Sequence, residues 1–150
     1  MIKRFSFLLV TLCLVIGAGV LIGCGDLDEG IIEGTWVHPG DSYVITATTL
    51  QYVSMWEGTD YGYKAERISL RPDGSRAGYI TVRFTEHLFN PALVEDYFVI
   101  HYKDLTSTSV QMAGAYKAGG EDSMPSAAAA EAEFTVPNGY FAMYGTYTRE

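Results

Sequence analysis

The chain has 150 residues, 18 acidic against 10 basic, a formal charge of −8, and an apolar fraction of 48%. That acidic balance excludes the clustered Lys and Arg that grip phosphates, so no nucleic-acid partner is expected. Both cysteines, Cys13 and Cys24, fall near the start, so no disulfide framework is expected in the remainder.

Lys3 and Arg4 precede an apolar stretch over 5–23, where Gly17, Gly19 and Gly23 thin out the side chains. This is the anatomy of a secretory leader. Length alone also admits an uncleaved anchor, since a span needs about 20 apolar residues; the glycines and the placement of Cys24 favour cleavage. Leu21-Ile22-Gly23-Cys24 resembles the lipobox of bacterial lipoproteins. The resemblance implies diacylglycerol on the Cys24 thiol, cleavage before Cys24, and a cell-envelope domain held outside the cytoplasm, on the plasma or outer membrane. Cys13 would leave with the leader as an ordinary small apolar residue. Lys3 and Arg4 would leave too while every acidic residue stays, taking the formal charge from −8 to −10. Attachment must then come from acyl chains, not from a basic patch. The lead Gly25-Asp26-Leu27-Asp28-Glu29-Gly30 reaches only about 20 Å fully extended, which keeps the domain close to the bilayer. The expected organisation is a leader over 1–23, the lipidated cysteine and tether over 24–32, and one domain over 33–150.

From Glu33 onward the hydrophobic period is two, predicting strands over 34–38, 42–46, 49–54, 62–71, 78–85, 95–103, 107–113 and 140–148. Ile80, Val82 and Phe84, and likewise Phe98, Ile100 and Tyr102, alternate with residues expected to face solvent, His101 among them. Pro39-Gly40-Asp41, Glu57-Gly58-Thr59-Asp60, Pro72-Asp73-Gly74-Ser75 and Lys103-Asp104 carry turn chemistry. Ser123 or Ser126 can cap a helix through Ala127 to Phe134, ended near Thr135 by Pro137 and Asn138-Gly139; a low-complexity loop is the alternative. Eight short strands in order, with one helix before the last, predict an all-β, closed up-and-down barrel, whose closure leaves no exposed edge.

Gly34-Thr35-Trp36 on the first strand resembles the Gly-x-Trp signature of calycins, the group that includes lipocalins and avidins. The resemblance implies a small calycin-like barrel plugged by Trp36, with Arg149 from the last strand stacked on the indole. The order Gly-Thr-Trp, Gly40-Asp-Ser-Tyr-Val-Ile-Thr46, Tyr102 to Val110, an alanine-rich helix and Asn138-Gly-Tyr-Phe141 is similar to a domain of uncharacterised spirochaete lipoproteins. That likeness implies an envelope lipoprotein and supplies no catalytic residues.

Motifs for chemistry are sparse. His38, His87 and His101 have no i,i+2 or i,i+4 partner, so no metal site or other cofactor is expected. Glu95-Asp96 would point to opposite faces of a strand and reads as a polar entry to it. No Gly-x-Ser-x-Gly or phosphate-cradling loop is present, and no enzyme is expected. Tyr52, Trp56, Tyr61 and Tyr63 crowd the connection between the third and fourth strands and are the candidate binding residues, since such rings offer an apolar body with a polar tip. Two functions follow: a non-catalytic module binding another protein or serving as an envelope scaffold, or a lipocalin-like carrier of one small apolar ligand. Large inward residues such as Phe84, Phe98, Ile100, Tyr102 and Met112 meeting at the axis would count against the carrier.

Overall fold

The structure is a computed structural model that describes residues 29–56 and 59–150, with side chains described for 31–54 and 62–150. A helical turn, α1 (Glu29–Ile32), leads into β1 (Gly34–His38), β2 (Asp41–Ile45), β3 (Thr49–Trp56), β4 (Thr59–Pro72) and β5 (Gly78–His87). A 3₁₀ turn over Pro91–Leu93 precedes β6 (Tyr97–Lys103) and β7 (Ser109–Gly114); helix α2 (Ala127–Glu133) then precedes β8 (Gly145–Arg149). The eight strands pair antiparallel in sequence order, and β8 returns to β1 to close the barrel. This is the architecture expected from the two-residue period and the short turns.

Up-and-down order sends successive connections to opposite ends. One end holds α1, the β2–β3, β4–β5 and β6–β7 turns and the end of β8; we call it the Trp36 end. The other holds the β1–β2, β3–β4 and β5–β6 connections; we call it the Tyr52 end. Between them the inward side chains form one core in which Trp36, Ile80, Val82, Phe84, Ile100, Tyr102 and Met112 are at most 1% exposed. Phe98 packs against that core from a partly buried position.

The expectation for His101 is corrected: it is 3% exposed, and its neighbour Val99 is fully buried. The alternation is real, but the outer face of β5 and β6 is covered by the segment between β7 and β8. Ala130, Phe134, Tyr140 and Phe141 from that segment join Tyr79, Val99 and Ala113 in a second buried cluster. His101 lies inside this layer, with Nδ1 2.7 Å from the Tyr144 hydroxyl and Nε2 3.4 Å from Asp73 Oδ2. Burial holds its pKa below the usual histidine value despite the hydrogen bond to Asp73. The same layer shortens the last predicted strand: Tyr140 and Phe141 anchor the covering segment, and pairing begins at Gly145.

Helix α2 forms as the alanine run predicts. Ser126 is its cap, accepting from the Ala129 N–H, and Glu131 fastens it to the barrel. Glu131 Oε1 accepts from Ser69 Oγ at 2.5 Å and from the fully buried Thr81 Oγ1 at 2.9 Å, with Arg71 Nε 3.4 Å away. Burial pushes this carboxyl up, but the two hydroxyls and the Arg71 charge outweigh it and hold the pKa below its ordinary value. The sixth strand also starts later than predicted, because Glu95 adopts a left-handed φ of 79° and Asp96 instead accepts from Ser123 Oγ at 2.6 Å. In the β4–β5 turn, Gly74 supplies the positive φ, 103°, that its Pro-Asp-Gly context calls for.

At the Trp36 end the molecule repeats itself. Ile45-Thr-Ala-Thr-Thr-Leu-Gln-Tyr52 and Leu105-Thr-Ser-Thr-Ser-Val-Gln-Met112 share one pattern and build the same turn. In each, the first threonine's hydroxyl accepts from the N–H groups two and three residues on, at 3.2 and 2.9 Å for Thr46 and at 3.2 and 2.8 Å for Thr106. An arginine from the strand after next then donates to the turn's middle carbonyl: Arg67 Nε to Ala47 and Arg149 Nε to Ser107, both at 2.9 Å. The two halves of the barrel thus carry equivalent arginines, Arg67 on β4 and Arg149 on β8.

Those arginines hold the entry of the chain. Arg149 donates to the carbonyls of Glu33, at 2.6 Å, and of Ile31, while Arg67 pairs with the Glu33 carboxylate at 3.1 Å. Trp36 Nε1 donates to Ile32 O at 2.7 Å, and Ile32 is fully buried. The last residue of the expected tether is therefore part of the core.

Candidate functional site at the Tyr52 end of the barrel

Strand register decides which aromatic residues meet. Trp36 pairs with Tyr43 and His38 with Asp41 across β1 and β2; Tyr43 pairs with Tyr52 and Tyr52 with Tyr63 across the next two strands. Directly opposed residues project to the same face, so these side chains share the inner face with Trp36. Tyr147 joins from β8. Ring centroids run 5.4 Å from Tyr63 to Tyr52, 4.7 Å to Tyr43, 5.3 Å to Tyr147 and 5.4 Å to His38.

Of the expected binding residues, Tyr52 and Tyr63 are brought together, and both turn inward against the core. The side chains of Trp56 and Tyr61 lie outside the described residues; their backbones are not loop, as expected, but the paired ends of β3 and β4. Cys24 also lies outside the described residues. At the far end, the Arg149 guanidinium carbon stands 4.2 Å from the Trp36 ring centroid. Gly34, with φ 140°, lies so close beneath it that a Cβ there would collide with Arg149 Nη1.

The hub of the Tyr52 end is a residue that sequence reading passed over as a turn former. Asp41 Oδ2 accepts from Tyr52 Oη at 3.1 Å and from Tyr147 Oη at 3.2 Å, and Asp41 Oδ1 lies 3.3 Å from His38 Nδ1. The last two atoms are shielded from solvent, and neither makes a hydrogen bond. The Tyr63 hydroxyl is also buried without a partner in hydrogen-bonding geometry. Burial raises the pKa of Tyr43, Tyr63 and Tyr147 above the usual tyrosine value; nearby hydroxyls, and for Tyr43 and Tyr147 the Asp41 charge, push further. These phenols are neutral at physiological pH. Asp41 and Tyr147 lie 106 residues apart, so no local motif could have joined them; the available signal was inward parity on neighbouring strands.

Among the described residues no three of His, Cys, Asp and Glu come together. Comparison with family models, curated proteins and solved structures found no match for this chain.

Proposed function

We propose that the chain is a lipid-anchored cell-envelope lipoprotein whose barrel is a non-catalytic module for binding another protein. The observation that carries this reading is the packed interior: Trp36, Tyr102, Phe84, Ile100 and Met112 meet inside the barrel at 1% exposure or less. Space that a carrier would keep for cargo is occupied by side chains, which counts against the small apolar ligand. The outer surface is left as the working part.

The Trp36 end supports a definite orientation. Glu33, Ile32 and Ile31 are held there by Arg149, Arg67 and the indole, so a tether from Cys24 arrives at that end and the Tyr52 end projects away from the bilayer. The β5–β6 connection on the projecting end exposes Leu88 at 57% and Phe89 at 69%, apolar groups of the kind that anchor protein contacts.

Two measurements test the reading. Radiolabelled palmitate should label the wild-type protein and sediment with membranes, and Cys24→Ala should lose both properties. A photoreactive residue at position 88 should capture a protein in intact cells, whereas native mass spectrometry and a fluorescent fatty-acid probe should find the barrel unoccupied. Stoichiometric fatty-acid binding with no adduct at position 88 would replace this reading with the carrier.

A further inference from the structure

We propose that His38, Asp41, Tyr52 and Tyr147 form a binding site for a ferric ion at the Tyr52 end of the barrel. Their donor atoms already converge. The Asp41 carboxylate stands within 3.1 to 3.3 Å of Tyr52 Oη, Tyr147 Oη and His38 Nδ1, spacings close to those between neighbouring donors around one ion.

Two of these donors are orphaned. His38 Nδ1 and Asp41 Oδ1 face each other at 3.3 Å, out of solvent contact and without a hydrogen bond. With no hydrogen bond between them, the imidazole nitrogen and the carboxylate oxygen can each turn a lone pair to a cation set between them, which would give both atoms the partner they lack. Buried polar atoms left without partners in a folded protein call for such a group.

The donor set selects the ion. One carboxylate, two phenols and one imidazole make an oxygen-rich, hard site with no thiolate, which disfavours the soft ions. Binding exchanges the two phenolic O–H bonds for two iron–oxygen bonds; the two protons leave for solvent, and nothing is oxidised or reduced. Three anionic ligands then balance a trivalent ion, so the filled site carries no net charge, as a half-buried position requires. A divalent ion in the same site would leave an uncompensated negative charge. Four protein ligands leave room for water or a small anion to complete the shell. The way in is open, because the His38 side chain is 39% exposed and that of Asp41 20%.

The ligands are held in place before the ion arrives. His38 and Asp41 are the closing pair of the β1–β2 hairpin, and Tyr52 and Tyr147 already donate to Asp41.

The test is titration of the purified full chain in detergent with ferric nitrilotriacetate. It is followed by the visible phenolate-to-iron charge-transfer band and by metal content after gel filtration. One ion per chain with that band is expected. Tyr52→Phe and Tyr147→Phe, which keep the rings, should each weaken binding at least about tenfold, and the double variant should lose the band. His38→Gln, at a half-exposed side chain, should weaken binding without altering circular dichroism. Tyr140→Phe, in the outer layer, should bind as wild type. The proposal is overturned by absence of the band in the wild type, by its survival in the double variant, by unchanged affinity in His38→Gln, or by tighter binding of zinc than of ferric ion.

Discussion

Replacing Arg149 with alanine removes a guanidinium that touches three separate pieces of the Trp36 end. It stacks on the indole of Trp36, donates to the carbonyls of Ile31 and Glu33 where the chain enters the barrel, and donates to Ser107 in the β6–β7 turn. A partly desolvated cation–π contact is worth about 0.5–2 kcal/mol. Hydrogen bonds from a charged donor contribute about 1.5–3 kcal/mol each in favourable cases. Water can replace the donor at the outer carbonyls, so the terms do not add in full. A total of about 2–4 kcal/mol is expected, most of it from the indole and Glu33 O contacts. With an unfolding entropy of about 2 cal/mol/K per residue over some 120 residues, that is a fall of about 8–16 °C in Tm. The assay is thermal and urea unfolding followed by Trp fluorescence, with m unchanged if only the folded state is affected. Arg149→Lys should lose most of the same stability, because an ammonium keeps the charge but neither the planar stack nor the fork. A loss below about 1 kcal/mol for Arg149→Ala would show that the barrel is closed by its two β1–β8 register pairs and not by this residue.

Gly34→Ala places a Cβ at φ 140° against Arg149 and should cost about 1–3 kcal/mol. Part of that cost should vanish in the Arg149→Ala background, and a double-mutant cycle that proved strictly additive would refute the contact. Glu131→Ala leaves the buried Thr81 hydroxyl without its acceptor and should cost about 1–3 kcal/mol, with early proteolysis between β7 and β8; a cut pattern like wild type would argue that the outer cluster alone holds α2. Because the Glu131 pKa is depressed on folding, its contribution is full above the ordinary glutamate value and is lost as pH falls through the folded one, so Glu131→Gln should flatten the acid limb of a stability–pH curve. The His101 pKa is also depressed. The unfolded chain therefore takes up the proton first, and stability should fall as pH drops below about 6.5; if His101→Gln retained that slope, another group would be responsible.

The barrel itself was legible because its physics is local. Alternation in β5 and β6, a Pro-Asp-Gly turn and an alanine run with a serine cap each name an element from a few neighbouring residues, and every strand but the last falls within a few residues of its expected limits. The Tyr52–Tyr63 pair was legible for the same reason, since one hairpin joins them. Asp41 was not, because its turn chemistry explained it fully and its partners Tyr52 and Tyr147 belong to other strands. His101 misled for a related reason: alternation states which side of the sheet a residue occupies but not whether that side is wet.

By itself, then, the sequence determined the strand order, the turn types and the inward face of each strand, because these depend on backbone stereochemistry and a period of two. It also carried, in the repeated Thr-x-Thr turns, the likeness between the two halves of the barrel. Only the tertiary structure decided what lies against what. The covering of β5 and β6 by α2 and Phe141 packs a segment onto strands about 50 residues earlier. The clamping of Ile31 and Glu33 by Arg149 and the arrival of Tyr147 at Asp41 depend on closure of the barrel, which joins residues more than 100 positions apart, and none of these contacts leaves a trace in any local window.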